Sequence, residues 1–144
     1  MVYEGAGDVL GYAYASPFRA RPAYRWSVEV SVYVHEDARG AQVGRKLYNA
    51  LLRILACQGY HNAFAGTALP NPSSVRLHEV TGFSRIGIYH AVGYKFGAWH
   101  DVLWWERALL TAPNEPAAII TLAEAQARPL RPPYSRDDAC RGRE

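Results

Sequence analysis

A turn containing two glycines, Gly40 and Gly44, lies directly before a predicted helix and is the stretch best suited to bind a ligand. From Val43 onward apolar residues recur on one side of a helix of period 3.6. This pattern predicts a helix from about Ala41 to Gln58, ending at Gly59. The backbone N–H groups of the turn have no strand partner, and the positive end of the helix dipole lies beside them. The segment therefore predicts a site for a phosphorylated ligand.

The segment before this turn predicts a β-strand that leads directly into the site. Its apolar residues recur at every second position, the period expected of a strand, and they are Trp26, Val28, Val30, Val32 and Val34. The positions between them lie on the opposite face, where Glu29 is the lone carboxylate. The strand is therefore predicted to present an apolar core face on one side and a single acidic side chain on the other.

A second, shorter helix is predicted from Pro72 to Thr81 and carries one histidine. Asn71 followed by proline is a typical N-cap, and the helix ends before Gly82. Ser74 and His78 lie one turn apart on this helix. Judged on these residues alone, a single histidine in such a place is more often a packing or surface residue than a catalytic one.

The remaining segments predict a sheet-rich α/β (α+β) domain. Predicted strands are Val2 to Glu4, Val9 to Ala15, residues 60–68, Ile86 to Tyr94 and Trp99 to Arg107. Beyond Leu110 five prolines interrupt the chain, so at most one short helix is predicted there, over Ala117 to Ala127. The last dozen residues are predicted to be disordered. We therefore divide the chain into a core, residues 1–107, and a tail, residues 108–144.

The loop from Ser16 to Arg25 combines aromatic residues with arginines. It contains two prolines, one phenylalanine, one tyrosine and three arginines. Aromatic and guanidinium groups together suit a planar or anionic small molecule. An edge loop kept in solution by its charge has the same composition, so both interpretations stay open.

Bulk composition limits the classes of function. The chain has 144 residues and a formal net charge of +3, and its positive charge forms local clusters that suit small anions better than a nucleic-acid duplex. Cys57 and Cys140 lie far apart, and we interpret them as free thiols of a reducing compartment. Two cysteines make a metal site implausible. Since no apolar run is long enough to span a membrane and no leader precedes the first strand, we expect a cytoplasmic protein without a membrane partner.

The order strand, turn, helix, strand, Asn-capped helix, Gly-Phe and two further strands resembles the GNAT superfamily of acetyl-CoA-dependent N-acetyltransferases. The likeness is closest to its phosphinothricin acetyltransferase branch. It lies within residues 9–107, in the segments LGYAYASPFRARPAYRWSVEVSVYVHEDARGAQVGRKLY, ALPNPSSVRLHEVTGF and VGYKFGAWHDVLWW. The resemblance implies a mixed, mostly antiparallel twisted sheet with two main helices. It also implies transfer of acetyl from acetyl-CoA to the amine of a small amino-acid-like substrate, without a metal.

The resemblance assigns roles to individual residues. Glu29 would be the general base, and His78 would act with it, at a position where many relatives keep a tyrosine as general acid. Tyr24 and Arg25 would hold the acid group of the substrate. The residues implied to hold acetyl-CoA, largely through backbone groups, are Val32, Tyr33, Val34, Arg39, Gly40, Ala41, Gln42, Val43, Gly44, Arg45, Asn71 and Ser74.

Two departures from the family pattern lead to further expectations. Gln42 stands where a glycine is usual, so we expect a strained backbone or a crowded pyrophosphate there. The first strand and first two helices of the family pattern have no counterpart, so we expect an N-terminally abbreviated copy that exposes apolar surface. Such a copy is either a fragment or a form completed by a partner subunit, as in a homodimer. The alternative function is a GNAT-like module that binds an acyl-CoA or a protein and does no chemistry.

Overall fold

The computed structural model describes residues 1–5 and 7–127, which form a six-stranded sheet with helices packed on one face. The strand order is β1-β2-β3-β4-β6-β5, and every neighbouring pair is antiparallel except β3 with β4. The predicted mixed, mostly antiparallel sheet is confirmed. The strands are β1 Val2–Gly5, β2 Asp8–Pro17, β3 Ser27–Val34, β4 Asn62–Ala68, β5 Ser84–Lys95 and β6 Ala98–Ala108, and the α-helices are α1 Val43–Gln58, α2 Pro72–Val80 and α3 Leu122–Ala127.

The core lies between the sheet and α1, on what we call the covered face. The alternation predicted for β3 is confirmed there, since Val28 and Val30 are buried and Val32 and Val34 pack against them. The helix contributes a continuous apolar stripe because its buried residues recur every three or four positions, and these are Val43, Leu47, Tyr48, Leu51, Leu52, Leu55 and Ala56. Burial of these side chains fixes which face of β3 meets α1, and so fixes where Glu29 points.

The opposite side of the sheet, which we call the open face, exposes apolar side chains. Tyr12 and Tyr33 lie opposite each other in the β2–β3 ladder and stack with ring centroids 5.1 Å apart. Tyr14 continues the row, and all three rings are about half exposed. The expected exposure of apolar surface is therefore met. The expected lack of a first strand and two helices stays a prediction.

The described part of the predicted tail packs onto the core. Trp26 donates its indole N–H to the carbonyl of Ala117, and Gln58 exchanges two hydrogen bonds with Ile120. The predicted short helix is α3, which lies against α1 and buries Ala125. The division at residue 107 stays a prediction. The predicted disorder of the last dozen residues, and Cys140, lie outside the described residues. Among the described residues, no helix is long and apolar enough to cross a membrane.

Candidate active site

The parallel pair β3–β4 separates partway along its length. Its ladder has three rungs, Ser27–Asn62, Val28–Ala63 and Glu29–Phe64. Beyond Glu29, β3 continues to Val34 paired only with β2, and β4 continues to Ala68 paired only with β6. The divergence expected at Val32, Tyr33 and Val34 is therefore present. We call the gap between residues 30–34 and 65–68 the β3–β4 split, and its two strand edges carry backbone groups without a ladder partner.

The start of α1 lies beside the end of β3. A Cβ atom added at Gly44 would lie 3.0 Å from Cδ2 of Leu77 and 3.3 Å from Cγ2 of Val34. Glycine therefore lets the first turn of α1 approach both α2 and the last residue of β3 closely. The first N–H groups of a helix have no partner within it, so those of α1 are available next to the β3–β4 split.

Gln42 has a left-handed backbone conformation in the turn before α1. It is the N-terminal flanking residue of α1, with φ 60° and ψ 15°, and Gly40 also has a positive φ of 82°. A non-glycine residue in this left-handed region carries a cost of about 1 kcal/mol or more. The strained backbone expected at Gln42 is confirmed. Its side chain is exposed, so the cost is local to the main chain of the turn.

The N-terminus of α2 is capped as predicted and is tied to β4. Oδ1 of Asn71 accepts a hydrogen bond from the backbone N–H of Ser74 at 3.1 Å, and proline occupies the first helical position. The hydroxyl of Ser74 lies 3.1 Å from that of Thr67 on β4. Thr67 in turn accepts a hydrogen bond from the indole N–H of Trp105 at 3.0 Å. The amide nitrogen of Asn71 is not needed for the cap, so it can serve a ligand.

His78 lies in the core, with only 2% of its surface exposed. Its ring stacks on Trp105, with centroids 5.1 Å apart and planes at 10°, and meets Phe83 edge-on. Nδ1 lies 2.7 Å from the carbonyl oxygen of Ser74, and a carbonyl can only accept, so Nδ1 carries the proton. Nε2 lies 3.1 Å from the hydroxyl of Tyr48 and therefore accepts from it. Both ring nitrogens are satisfied inside the protein.

Burial keeps this pair uncharged. Desolvation lowers the pKa of His78, and the hydrogen bond to Ser74 opposes that effect in part. Burial also raises the pKa of the Tyr48 hydroxyl, with a smaller contribution from Tyr33. A neutral imidazole that donates to a carbonyl and accepts from a phenol is a fixed part of a polar network, and it has no free proton to offer a ligand.

The structure places Glu29 and His78 on opposite faces of the sheet. Glu29 pairs with Phe64 of β4, whereas His78 stacks on Trp105, which pairs with Ala65. Consecutive residues of a strand point to opposite faces, and Ala65 is buried on the covered face. The two side chains therefore start from opposite faces of the sheet, and the joint action of His78 and Glu29 across one reactive centre stays a prediction. The physical reason for the opposite faces is that α2 lies on the covered face while the carboxylate projects from the open one.

The loop after β2 brings aromatic residues to Phe64, the ladder partner of Glu29. Phe18 stacks on Phe64 with centroids 4.1 Å apart, and Tyr24, in a short 3₁₀ turn, meets Phe18 edge-on at 6.3 Å. Tyr24 thus belongs to an aromatic group that reaches Phe64 through Phe18. The guanidinium of Arg25 lies 4.2 Å from the ring of Trp26 instead, and that of Arg19 lies 4.6 Å from the ring of Phe18. Within the described residues, no cluster of three His, Cys, Asp or Glu side chains could hold a metal ion.

Sequence reasoning missed four contributors to this region: Phe18, Tyr48, Phe64 and Thr67. The phenylalanine of the loop was visible in the sequence, but its partner on β4 depends on the register of the parallel pair. The hydroxyl of Thr67 joins α2 to Trp105 across three separate elements. No local pattern gives such contacts, because each partner comes from a different part of the chain.

Comparison with known proteins agrees with this architecture. Residues 1–104 match the family described as "Acetyltransferase (GNAT) domain". The chain is 50% identical over 102 residues to the phosphinothricin N-acetyltransferase of Streptomyces coelicolor, covering 71% of this chain and 60% of the relative. It is 44% identical over 122 residues to the protein of that name from Streptomyces viridochromogenes, covering 84% and 67%. The chain thus spans about 60% of the length of its curated relatives.

A solved structure shows the same fold. The phosphinothricin acetyltransferase of Sinorhizobium meliloti, determined in complex with AcCoA, superposes with a TM-score of 0.74 at 37% identity. The superposition covers 79% of this chain and 62% of that one.

Proposed function

The chain belongs to the GNAT family of acetyltransferases, and from this premise we propose that it transfers acetyl from acetyl-CoA to the amine of a small amino-acid-like substrate. The observation that carries the proposal is the β3–β4 split, which opens one residue beyond Glu29 and has the N-terminus of α1 at its end. The names of the relatives, phosphinothricin N-acetyltransferases, support an amino-acid-like amine as substrate.

The residues around the split fit acetyl-CoA. Acetyl-CoA supplies a thioester whose carbonyl carbon accepts the amine. We assign the pantetheine arm to the free backbone edge of Val32, Tyr33 and Val34, and the pyrophosphate to the turn from Arg39 to Arg45 at the start of α1. Asn71 and Ser74 border the same region through the start of α2. The N–H of Val34 is proposed to donate to the oxygen that becomes negative as the tetrahedral intermediate forms.

Glu29 is proposed as the general base. Its half-buried carboxylate lies on the open face at the point where the two strands separate. From there it removes a proton from the substrate ammonium, directly or through a water molecule, and the neutral amine attacks. We propose direct transfer without a covalent enzyme intermediate, because Cys57 lies at the opposite end of α1 from the turn.

We propose that His78 positions α2 and does not act as an acid opposite Glu29. Its hydrogen bonds to Ser74 and Tyr48 hold α2 against α1, and α2 carries the capping residue Asn71. We therefore propose that the imidazole holds the acetyl-CoA side of the site in shape. We propose that the leaving thiolate takes its proton from solvent or receives the proton that Glu29 removed from the substrate ammonium.

The partners we propose are a small amine and, on the open face, a second copy of the chain in a homodimer. The cytoplasm is the proposed location. The chain has only two cysteines, which we interpret as free thiols, and Cys57 has no disulfide partner among the described residues. Nucleic acid is not a proposed partner, since the basic residues do not form one stripe.

A direct experiment tests the proposal. Acetyl-CoA should raise the melting temperature of the protein, and adding phosphinothricin or methionine sulfoximine should then release free CoA thiol. Stabilisation by acetyl-CoA without thiol release, over a panel of amino-acid-like amines, would refute acetyl transfer and leave binding.

A second candidate function is a module that binds an acyl-CoA without chemistry. Two observations favour it: the strained backbone of Gln42 in the turn and the enclosed imidazole of His78. The same experiment separates the two functions, because a binding module gives the thermal shift alone.

A further inference from the structure

The indole ring of Trp104 lies at the β4 edge of the β3–β4 split and has no assigned role. Trp105 is buried on the covered face, so its neighbour Trp104 projects from the open face. The cross-strand partners of Trp104, Gly66 on β4 and Gly87 on β5, are both glycines. A Cβ atom added at Gly66 would lie 3.8 Å from Cζ2 and 3.9 Å from Cε2 of the indole. Because Gly66 has no side chain, the ring extends from β6 over the strand that borders the split.

Packing holds this ring in place. Tyr89 of β5 contacts it, with ring centroids 5.6 Å apart. Cγ1 of Val102 lies 3.3 Å from the same Cβ position at Gly66, so Val102 and Trp104 together fill the space above that glycine. The indole Nε1–H is enclosed and has no hydrogen-bond partner within residues 1–5 and 7–127. The ring is therefore positioned by contacts alone, and it is half-buried, so part of it remains accessible to a ligand.

The proposed position of acetyl-CoA brings its acyl end to this ring. The proposed pyrophosphate site is the turn before α1, and α1 packs on the covered face. A thioester arm that enters the split from that side ends toward the open face, where Glu29 occupies the last rung of the parallel ladder. Gly66 lies two residues beyond that rung on β4, about 7 Å along the strand. The acyl chain at the end of the arm therefore meets the strand edge that Trp104 covers.

We propose that the indole of Trp104 is the wall of the acyl site and restricts the acyl donor to acetyl-CoA. The proposal rests on the proposed acetyl transfer and adds the residue that selects the acyl group. A longer acyl chain has to displace the indole, and a close-packed side chain resists displacement. A smaller side chain in place of Trp104 opens room for a longer chain, because Gly66 beneath it contributes no side chain of its own.

The test compares kcat/KM for acetyl-CoA, propionyl-CoA and butyryl-CoA, measured with the amine that the wild type acetylates fastest. One methylene changes kcat/KM by about 10- to 200-fold in a tight site, so the wild type should favour acetyl-CoA over butyryl-CoA by about 100-fold or more. W104A should lower this ratio by about tenfold or more. W104F keeps a smaller ring and should give an intermediate ratio. Equal kcat/KM for the three donors in the wild type would overturn the proposal.

W99A is the matched control for the loss of a tryptophan. Trp99 pairs with Tyr94 next to the β5–β6 turn, outside the part of β6 that pairs with β4, and it is 65% exposed. W99A should keep the wild-type ratio of acetyl-CoA to butyryl-CoA. A fall in that ratio as large as in W104A would contradict the proposal. So would an unchanged ratio in both W104A and W104F, with melting temperatures that show folded protein.

A measurement that needs no turnover separates this proposal from the proposed function. The indole N–H resonance of Trp104 in the nitrogen–proton NMR spectrum is identified by its loss in W104F. Saturating acetyl-CoA should shift this resonance of the wild type more than CoA does, because only acetyl-CoA carries the acyl group. If that difference is present and no amine releases thiol, acetyl transfer is refuted and the acyl wall is supported. Equal shifts with acetyl-CoA and CoA, or a shift with the amine alone, would refute the wall even in an active enzyme.

Discussion

The ring of His78 and the carboxylate of Glu29 project from opposite faces of one sheet, separated by the alternation of Phe64 and Ala65 along β4. The site therefore has two parts, one on the open face and one on the covered face. The open face carries the groups suited to an amine, namely the carboxylate of Glu29 and the stacked rings of Phe18 and Phe64. The covered face carries a neutral network that holds α1, α2 and β4 together around the β3–β4 split. In the proposed function, chemistry and architecture therefore depend on different residues.

Removing the hydroxyl group of Tyr48 should destabilise the protein without changing the side chains of the open face. In Y48F the Nε2 atom of His78 loses its donor while it stays buried. An unsatisfied buried polar atom costs about 1 to 3 kcal/mol, and we expect a loss of that size in the free energy of unfolding measured by urea denaturation. Y94F is the control, since Tyr94 is largely exposed, and it should change stability by less than about 0.5 kcal/mol. Equal stability of Y48F and the wild type would contradict the network.

The depressed pKa of His78 predicts a loss of stability in mild acid. The folded protein keeps the imidazole neutral, while the unfolded chain takes up a proton near the ordinary value of 6.5. Between that value and the lower folded pKa, the unfolded state binds more protons, so stability falls as pH falls. The free energy of unfolding should therefore decline from pH 7.5 to pH 5.5. H78Q removes this titration and should show a smaller decline, and parallel curves for the two proteins would exclude His78 as the cause.

Replacing Gln42 by glycine should relieve the strain of the turn. The left-handed conformation costs a non-glycine residue about 1 to 2 kcal/mol, and the extra freedom of an unfolded glycine costs about 0.5 to 1 kcal/mol. We therefore expect Q42G to be equal to the wild type or more stable by up to about 1 kcal/mol, with acetyl-CoA affinity, measured by calorimetry, equal or higher. Q42A keeps the strain and should not gain. A loss of affinity in Q42G alone would show that the glutamine side chain contributes to binding.

Local patterns were sufficient to predict much of the fold. Alternation of valines predicted β3 and the face of Glu29, and Asn71 with Pro72 predicted the cap of α2, because both features depend on neighbours in sequence. The strain at Gln42 was predicted from the resemblance, since a glycine is usual at this place in the family's turn. Strand ends were less accurate, since β5 and β6 extend beyond the predicted limits at both ends.

Contacts between distant segments could not be predicted in that way. The face on which α2 lies is decided by the packing of His78 against Trp105 and Tyr48. These three residues come from three different elements, α2, β6 and α1. The positive φ of Ala91 within β5 is another example, because its N–H is held by the carboxylate of Asp101 on the neighbouring strand. Such positions depend on tertiary partners and carry no signal of their own.

The most direct test of the account compares E29Q with E106Q. Both substitutions remove a carboxylate from the open face beside Phe64, but only Glu29 lies at the β3–β4 split. We expect E29Q to lower kcat/KM for the amine at neutral pH by about 100-fold or more, with acetyl-CoA affinity unchanged. We expect E106Q to lower kcat/KM by less than about fivefold, because Glu106 is not the proposed general base. Equal kcat/KM for E29Q and the wild type, or an equal loss of activity and acetyl-CoA affinity in E29Q, would contradict the central claim that Glu29 is the base.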